Sequence, residues 1–208
     1  MGRKILFITT DQQRYDSLRC NGGTIARTPT IDALAARGIN YDRARPQNVV
    51  CMPSRSTIIT GQHVTTHGVW MNGVPLPEEA PSIAETLHDA GYATALIGKA
   101  HFEPLLDPFL RFRENRLGFE RVTDHATTHY SQWVRSEHPE HVGSFYAVLD
   151  NELQVNATGG GDTDAPQVKL NPIPREWYHT DWVAEHTINW LNSLPEDRDW
   201  FCWMSFPD

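Results

Sequence analysis

Three short apolar runs, with helical patterns spaced between them, constrain this sequence more than any other feature. Lys4–Thr9 is a continuous apolar run closed by polar residues, at the length of a buried strand. Tyr92–Ile97 is a second, partly β-branched run, and Trp200–Phe206 is a third that reads as another core strand. Between the first two, Thr28-Pro29-Thr30 opens a helical stretch through Ile31, Leu34 and Ala35 that Gly38 closes. Pro53 suits the first turn of a second helix and Gly61 its end. Ser82-Ile83-Ala84-Glu85 is a capping-box pattern for a third, with Leu87 on it and Gly91 as its stop. The order strand, helix, helix, helix, strand predicts an α/β layered fold.

Further along, Thr180-Asp181 predicts the cap of a helix carrying Trp182, Val183, Ile188, Trp190 and Leu191. From about Thr123 to Arg175 the pattern dissolves into His, Asp, Asn, Gly and Pro, including Gly159-Gly160-Gly161-Asp162. Residues 123–175 are therefore expected to form an irregular insertion or lid, of the kind that shapes a pocket. No internal repeat is present. The sequence stops at Phe206-Pro207-Asp208, straight after a core strand, which is unusual for a complete domain. That last strand is expected to expose Trp200, Phe201 and Trp203 along an uncovered edge.

At 208 residues, 39% hydrophobic and 21% charged, the chain can bury a substantial core. Its formal net charge is −8 and no run of Lys or Arg exceeds a pair, which argues against a nucleic-acid partner. The three cysteines, Cys20, Cys51 and Cys202, make no paired disulfide framework and show no Cys-x-x-Cys spacing. The apolar part of the N-terminus, Ile5 to Ile8, is too short for a signal peptide or a membrane span. A cytoplasmic location without a membrane partner is the expectation.

The residues with the most chemistry lie near element ends. Cys51 precedes the Pro53 helix, where unpaired N–H groups and the dipole favour an anion, and Arg55 stands one turn on with a planar fork for an oxyanion. A plain thiolate would also be activated there. Asp11-Gln12 follows the first strand, at the ligand-binding edge of an α/β sheet, and offers hard oxygen donors suited to Ca²⁺ or Mg²⁺. Gly98-Lys99-Ala100-His101 follows the second strand; Lys99 can neutralise an oxygen and His101 can accept a proton. Asn72, in Trp70-Met71-Asn72-Gly73, is either a substrate contact or half of an Asn-Gly turn.

Other candidates are weaker. His125 and His129 share helical metal spacing in a Gly-, Thr- and Asp-rich stretch that favours surface histidines. Asn156-Ala157-Thr158 matches a glycosylation acceptor without a secretion signal to make it relevant. Cys20 and Cys202 read as structural thiols, and Trp177, Tyr178 and His179 as pocket lining or packing.

The run Cys51-Met52-Pro53-Ser54-Arg55-Ser56-Thr57-Ile58-Ile59-Thr60-Gly61 resembles the signature of the formylglycine-dependent type I sulfatases, with Cys, Pro, Arg and Thr-Gly all in register. Gly98-Lys99-Ala100-His101 resembles that family's Gly-Lys-x-His element. The resemblance implies an alkaline-phosphatase-like fold, a large mixed β-sheet flanked by helices. It implies that residues 1–208 are the N-terminal part of a single catalytic domain. It further implies that a maturation enzyme oxidises Cys51 to formylglycine (3-oxoalanine), whose hydrated diol attacks sulfur and then expels sulfate as the aldehyde reforms.

On the same resemblance, Asp11, Gln12 and Cys51 are metal ligands for a divalent cation, Ca²⁺ first, with Mn²⁺, Mg²⁺ and Zn²⁺ as alternatives. Gln12 departs from the family's usual Asp-Asp pair. Lys99, His101 and Asn72 contact the substrate, Asn72 as in the related phosphonate monoester hydrolases. The remaining metal ligands and a further catalytic His are expected beyond Asp208. The implied substrate is a small-molecule or carbohydrate sulfate ester, and a homo-oligomer is compatible with the sequence. Two other readings stay open: a phosphonate monoester or phosphodiester hydrolase with the same nucleophile, and a non-catalytic binding module on this scaffold.

Overall fold

The three apolar runs lie side by side at the centre of the molecule, in a computed structural model that describes residues 3–102, 111–112, 115–118, 129–142 and 174–207. In chain order the elements are β1 (Lys4–Thr9), α1 (Pro29–Arg37), α2 (Cys51–Thr60), α3 (Val64–His67), α4 (Ile83–Asp89), β2 (Ala93–Gly98), β3 (Asn115–Gly118), α5 (His129–Glu137), α6 (His179–Ser193) and β4 (Trp200–Ser205), with short 3₁₀ turns between some of them. Among the described residues four strands are ordered β1-β4-β2-β3, with every pairing parallel. Parallel strands need covered faces, and the apolar runs provide them.

Side chains alternate between the two faces as the strand period requires. Leu96, Phe201 and Trp203 join a core with Met52 and Ile59 of α2 and Ala84 of α4. Ala95, Ile97 and Cys202 point the other way, against Tyr130 and Val134 of α5 and Trp182, Val183 and Trp190 of α6. All of β2 is buried. Cys202 is fully enclosed, and burial pushes its thiol up to about 12, which agrees with an inert structural cysteine.

Several sequence expectations change. The last strand is not an exposed edge: β4 lies between β1 and β2, with Phe201 5% and Trp203 0% exposed. Among the described residues β1 is one of the two edge strands, and its Ile5, Leu6 and Ile8 are 40%, 43% and 48% exposed. Helix α6 begins at His179 with Tyr178 at its N-cap, so Thr180 and Asp181 sit in its first turn instead of capping it. Strand β3 went unread because it is held by pairing with β2, not by a run of apolar residues. Within 123–175, α5 is regular; Tyr130 and Val134 are its buried i, i+4 pair, too few apolar positions for a legible period. His125 and Asn156–Thr158 lie outside the described residues, as does most of that stretch. Among the described residues, no helix is long and apolar enough to cross a membrane.

Candidate active site

Register brings the site together. Thr9, Ser205 and Gly98 are Cα partners across β1, β4 and β2, so three strand ends form one row at the carboxyl edge of the sheet. Asp11 follows β1 and Lys99 follows β2, which places both just beyond that row. Helix α2 packs its Met52 and Ile59 into the core on this side, delivering Cys51 at its N-terminus and Arg55 one turn on.

Arg55 is 5% exposed and held from several directions. One guanidinium nitrogen donates to the Lys99 carbonyl at 2.7 Å and to Ser205 Oγ at 2.8 Å. The other donates to Asp11 Oδ1 at 3.2 Å, and the guanidinium carbon lies 5.8 Å from the centroid of the Trp203 ring. Lys99 Nζ donates to Asp11 Oδ2 at 2.7 Å, so each carboxylate oxygen faces one cation. Burial by itself would raise the Asp11 pKa, but the Lys99 hydrogen bond and charge, joined by Arg55, hold it below the usual carboxylate value. The partly buried charges are thus mutually satisfied.

Behind Arg55 runs a directional chain of hydrogen bonds. Trp203 Nε1 donates to Thr9 Oγ1 at 2.9 Å, Thr9 Oγ1 to Ser205 Oγ at 3.2 Å, and Ser205 Oγ to the Lys99 carbonyl at 2.7 Å. Sequence reasoning missed Thr9, Ser205 and Trp203. The available signal was a hydroxyl residue near the end of each of two apolar runs, which the parallel register then aligns.

At the other end of the site, Val50 occupies the N-cap of α2 without a side-chain cap. Asn72 supplies one from a distant segment: its Oδ1 accepts the Met52 N–H at 3.1 Å. The same amide stands 3.2 and 3.3 Å from Cys51 Sγ. Gly73 has φ +92°, so the Asn-Gly turn also exists; the turn aims the side chain at Cys51.

A cleft of about 460 Å³ lies over this assembly, lined by Asp11, Gln12, Asn48, Cys51, Ser54 and Arg55 among others. Cys51 is half-buried and Gln12 exposed. Lys99 and His101 are not among the lining residues; Lys99 reaches the site through Asp11. His101 is half-buried with φ +52°, a left-handed conformation uncommon outside glycine. Asp11, Cys51, Arg55, Asn72 and Lys99 therefore form one constellation, with Gln12 at its rim and His101 on the adjoining turn. As cation donors, the oxygens of Asp11 and Gln12 fit in kind. Among the described residues, though, no group of three or more His, Cys, Asp or Glu side chains could hold a metal ion.

The family model described as Sulfatase matches residues 3–208. An arylsulfatase of Clostridium perfringens is 29% identical across 99% of this chain and 43% of its own length. An N-acetylglucosamine-6-O-sulfatase of Bacteroides thetaiotaomicron is 34% identical across 47% of this chain and 17% of its own length. Among solved structures, the phosphonate monoester hydrolase of Agrobacterium radiobacter aligns over 100% of this chain and 41% of its own, with TM-score 0.70 and 26% identity. A protein solved in complex with its substrate D-glucosamine-2-N,6-O-disulfate shares the fold, with TM-score 0.66 and 21% identity over 99% of this chain and 34% of its own. The chain spans less than half the length of these relatives.

Proposed function

The chain belongs to the sulfatase family, and on that premise we propose that the whole protein hydrolyses sulfate esters through a formylglycine made from Cys51. The observation that carries this reading is the meeting of Cys51, Arg55, Asp11 and Lys99 beyond one row of strand ends. Sulfatases carry a metal ion and a formylglycine in general. Cys51 Sγ marks where an oxygen of the formylglycine, bonded to Cβ, would stand. When bound, a divalent cation would supply positive charge for a sulfate oxygen, and Asp11 and Gln12 are the donors this chain would give it.

The chain's own residues have separate tasks in this reading. The first turn of α2, whose Met52 N–H is taken by Asn72, turns the positive end of the helix dipole toward an anion at Cys51. Asn72 would orient the attacking hydroxyl, whose oxygen would bond to sulfur while its own proton passes to the departing ester oxygen. Arg55 and Lys99 stabilise the negative sulfate oxygens, preorganised by their bonds to Asp11 and Ser205. His101 would take the proton of the second hydroxyl and return it to solvent, which would let the carbon–oxygen bond to sulfate break and the aldehyde be recovered for rehydration.

A second reading, hydrolysis of phosphonate monoesters, is favoured by the likeness to the Agrobacterium enzyme and by Asn72 touching Cys51. Lys99 and His101, which match the sulfatase element, favour the sulfate ester. Both readings are tested by making the whole protein with a maturation enzyme, weighing the Cys51 peptide and assaying an aryl sulfate beside an aryl phosphonate monoester. Sulfur loss at Cys51 with faster sulfate turnover is the expected result. Full activity with an unmodified thiol would overturn the nucleophile, and faster phosphonate turnover would reverse the substrate order.

A further inference from the structure

Asn72 is exposed, and the two residues before it, Trp70 and Met71, are 64% and 44% exposed. An exposed side chain that nevertheless meets Cys51 must be aimed by its own segment. That segment, from His67 to Gly73, is tied to α2 at both ends. At the far end His67, 4% exposed, stands with Nε2 3.0 Å from Thr57 Oγ1 of α2. At the near end Asn72 Oδ1 accepts from Met52 N, and Gly73 N lies 3.0 Å from Met52 Sδ.

The imidazole serves both strands of this connection. Its Nδ1 accepts the Val69 N–H at 3.1 Å. In the neutral ring the proton must then sit on Nε2, which donates it to Thr57. Gly68, at φ +78°, allows the chain to fold back so that Val69 becomes fully buried beside Met52 and Ile59. Val69 is three residues from Asn72, so the anchor fixes the direction in which the turn leaves the core.

We propose that His67 is a positioning residue for the reaction: it fastens the 67–73 segment to α2 and so holds Asn72 on the nucleophile. The catalytic consequence rests on the sulfate-ester reading, while the geometric one does not. Small displacements of an orienting group cost up to about 10²-fold in rate. His67→Ala is therefore expected to lower kcat roughly tenfold or more, with KM changing much less. The decisive measurement is a double-mutant cycle with Asn72→Ala in the whole protein. If His67 acts through Asn72, removing it from the Asn72→Ala background should lower kcat by less than about threefold.

His67→Asn, which keeps an acceptor for Val69 N–H, should recover most of the loss. The same cycle is read a second way, on protein made without the maturation enzyme, as the iodoacetamide alkylation rate of Cys51. Either single variant should shift that rate alike, and the double no further. Independent, multiplying effects in both readouts overturn the proposal. If His67→Ala does not fold, Thr57→Val removes the same anchor and is read against Asn72 identically. A parent without sulfate turnover sinks the functional reading, yet the alkylation cycle still decides this one.

Discussion

Arg55 is a buried cation that donates to the Lys99 carbonyl, Ser205 and Asp11 and lies near the Trp203 ring, and that makes its geometry hard to imitate. A lysine cannot reproduce a fork that reaches Ser205 and Asp11 together. Arg55→Ala, Arg55→Lys, Lys99→Ala and His101→Ala are each expected to lower turnover on the order of 10²–10³. Circular dichroism and the best ester substrate check this; variants within a few-fold of the parent would refute the assignment. Titration adds a residue-level prediction. Burial lowers the pKa of His67 and of His186 below the usual 6.5, with Glu185 opposing the shift at His186. As pH falls the unfolded chain takes up these protons first, so the histidines' stabilising contribution is complete above 6.5 and declines as acid moves through 6.5 toward the folded values. Urea midpoints should fall from about pH 7.5 to about 5.5, and His67→Asn or His186→Asn should each flatten that slope.

Among the elements, the junction of β2 and β4 leaves least room. Gly98 has φ +109°, and a Cβ there would sit 1.8 Å from the Ser205 carbonyl oxygen. The strands approach this closely because Lys99 N donates to that same carbonyl at 2.9 Å. Gly98→Ala is expected to cost about 1–3 kcal/mol for the backbone conformation alone, with the overlap added. Denaturant unfolding measures the cost, and loss of turnover should accompany it because Ser205 and Lys99 are displaced together. A variant as stable as the parent would show that the strand ends are looser than this geometry allows. Helix α2 illustrates the opposite relation between element and environment: nothing in Val50 caps it, and Asn72 does so from another segment.

For the molecule as a whole, β1 is an edge of the sheet among the described residues. Its Ile5, Leu6 and Ile8 are exposed, and among the described residues no strand pairs with its outer side, which makes it a template for association. The 208-residue polypeptide should therefore self-associate as concentration rises, measurable by sedimentation, and Leu6→Lys with Ile8→Lys should reduce it. A strictly monomeric parent at high concentration would contradict this. By itself the sequence determined β1, β2 and β4, because continuous apolar runs of strand length have little else to become, and it determined the Cys51–Arg55 pairing, because both lie within one helical turn. Strand β3, with Leu117 as its one apolar residue, left no such trace. Tertiary structure alone decided that the last strand is internal, that Thr9, Ser205 and Gly98 share a row, and that Asn72 and His67 reach α2. Those contacts join residues 10 to 196 positions apart, and no local pattern encodes a parallel register; it is set when both faces of the sheet are covered at once.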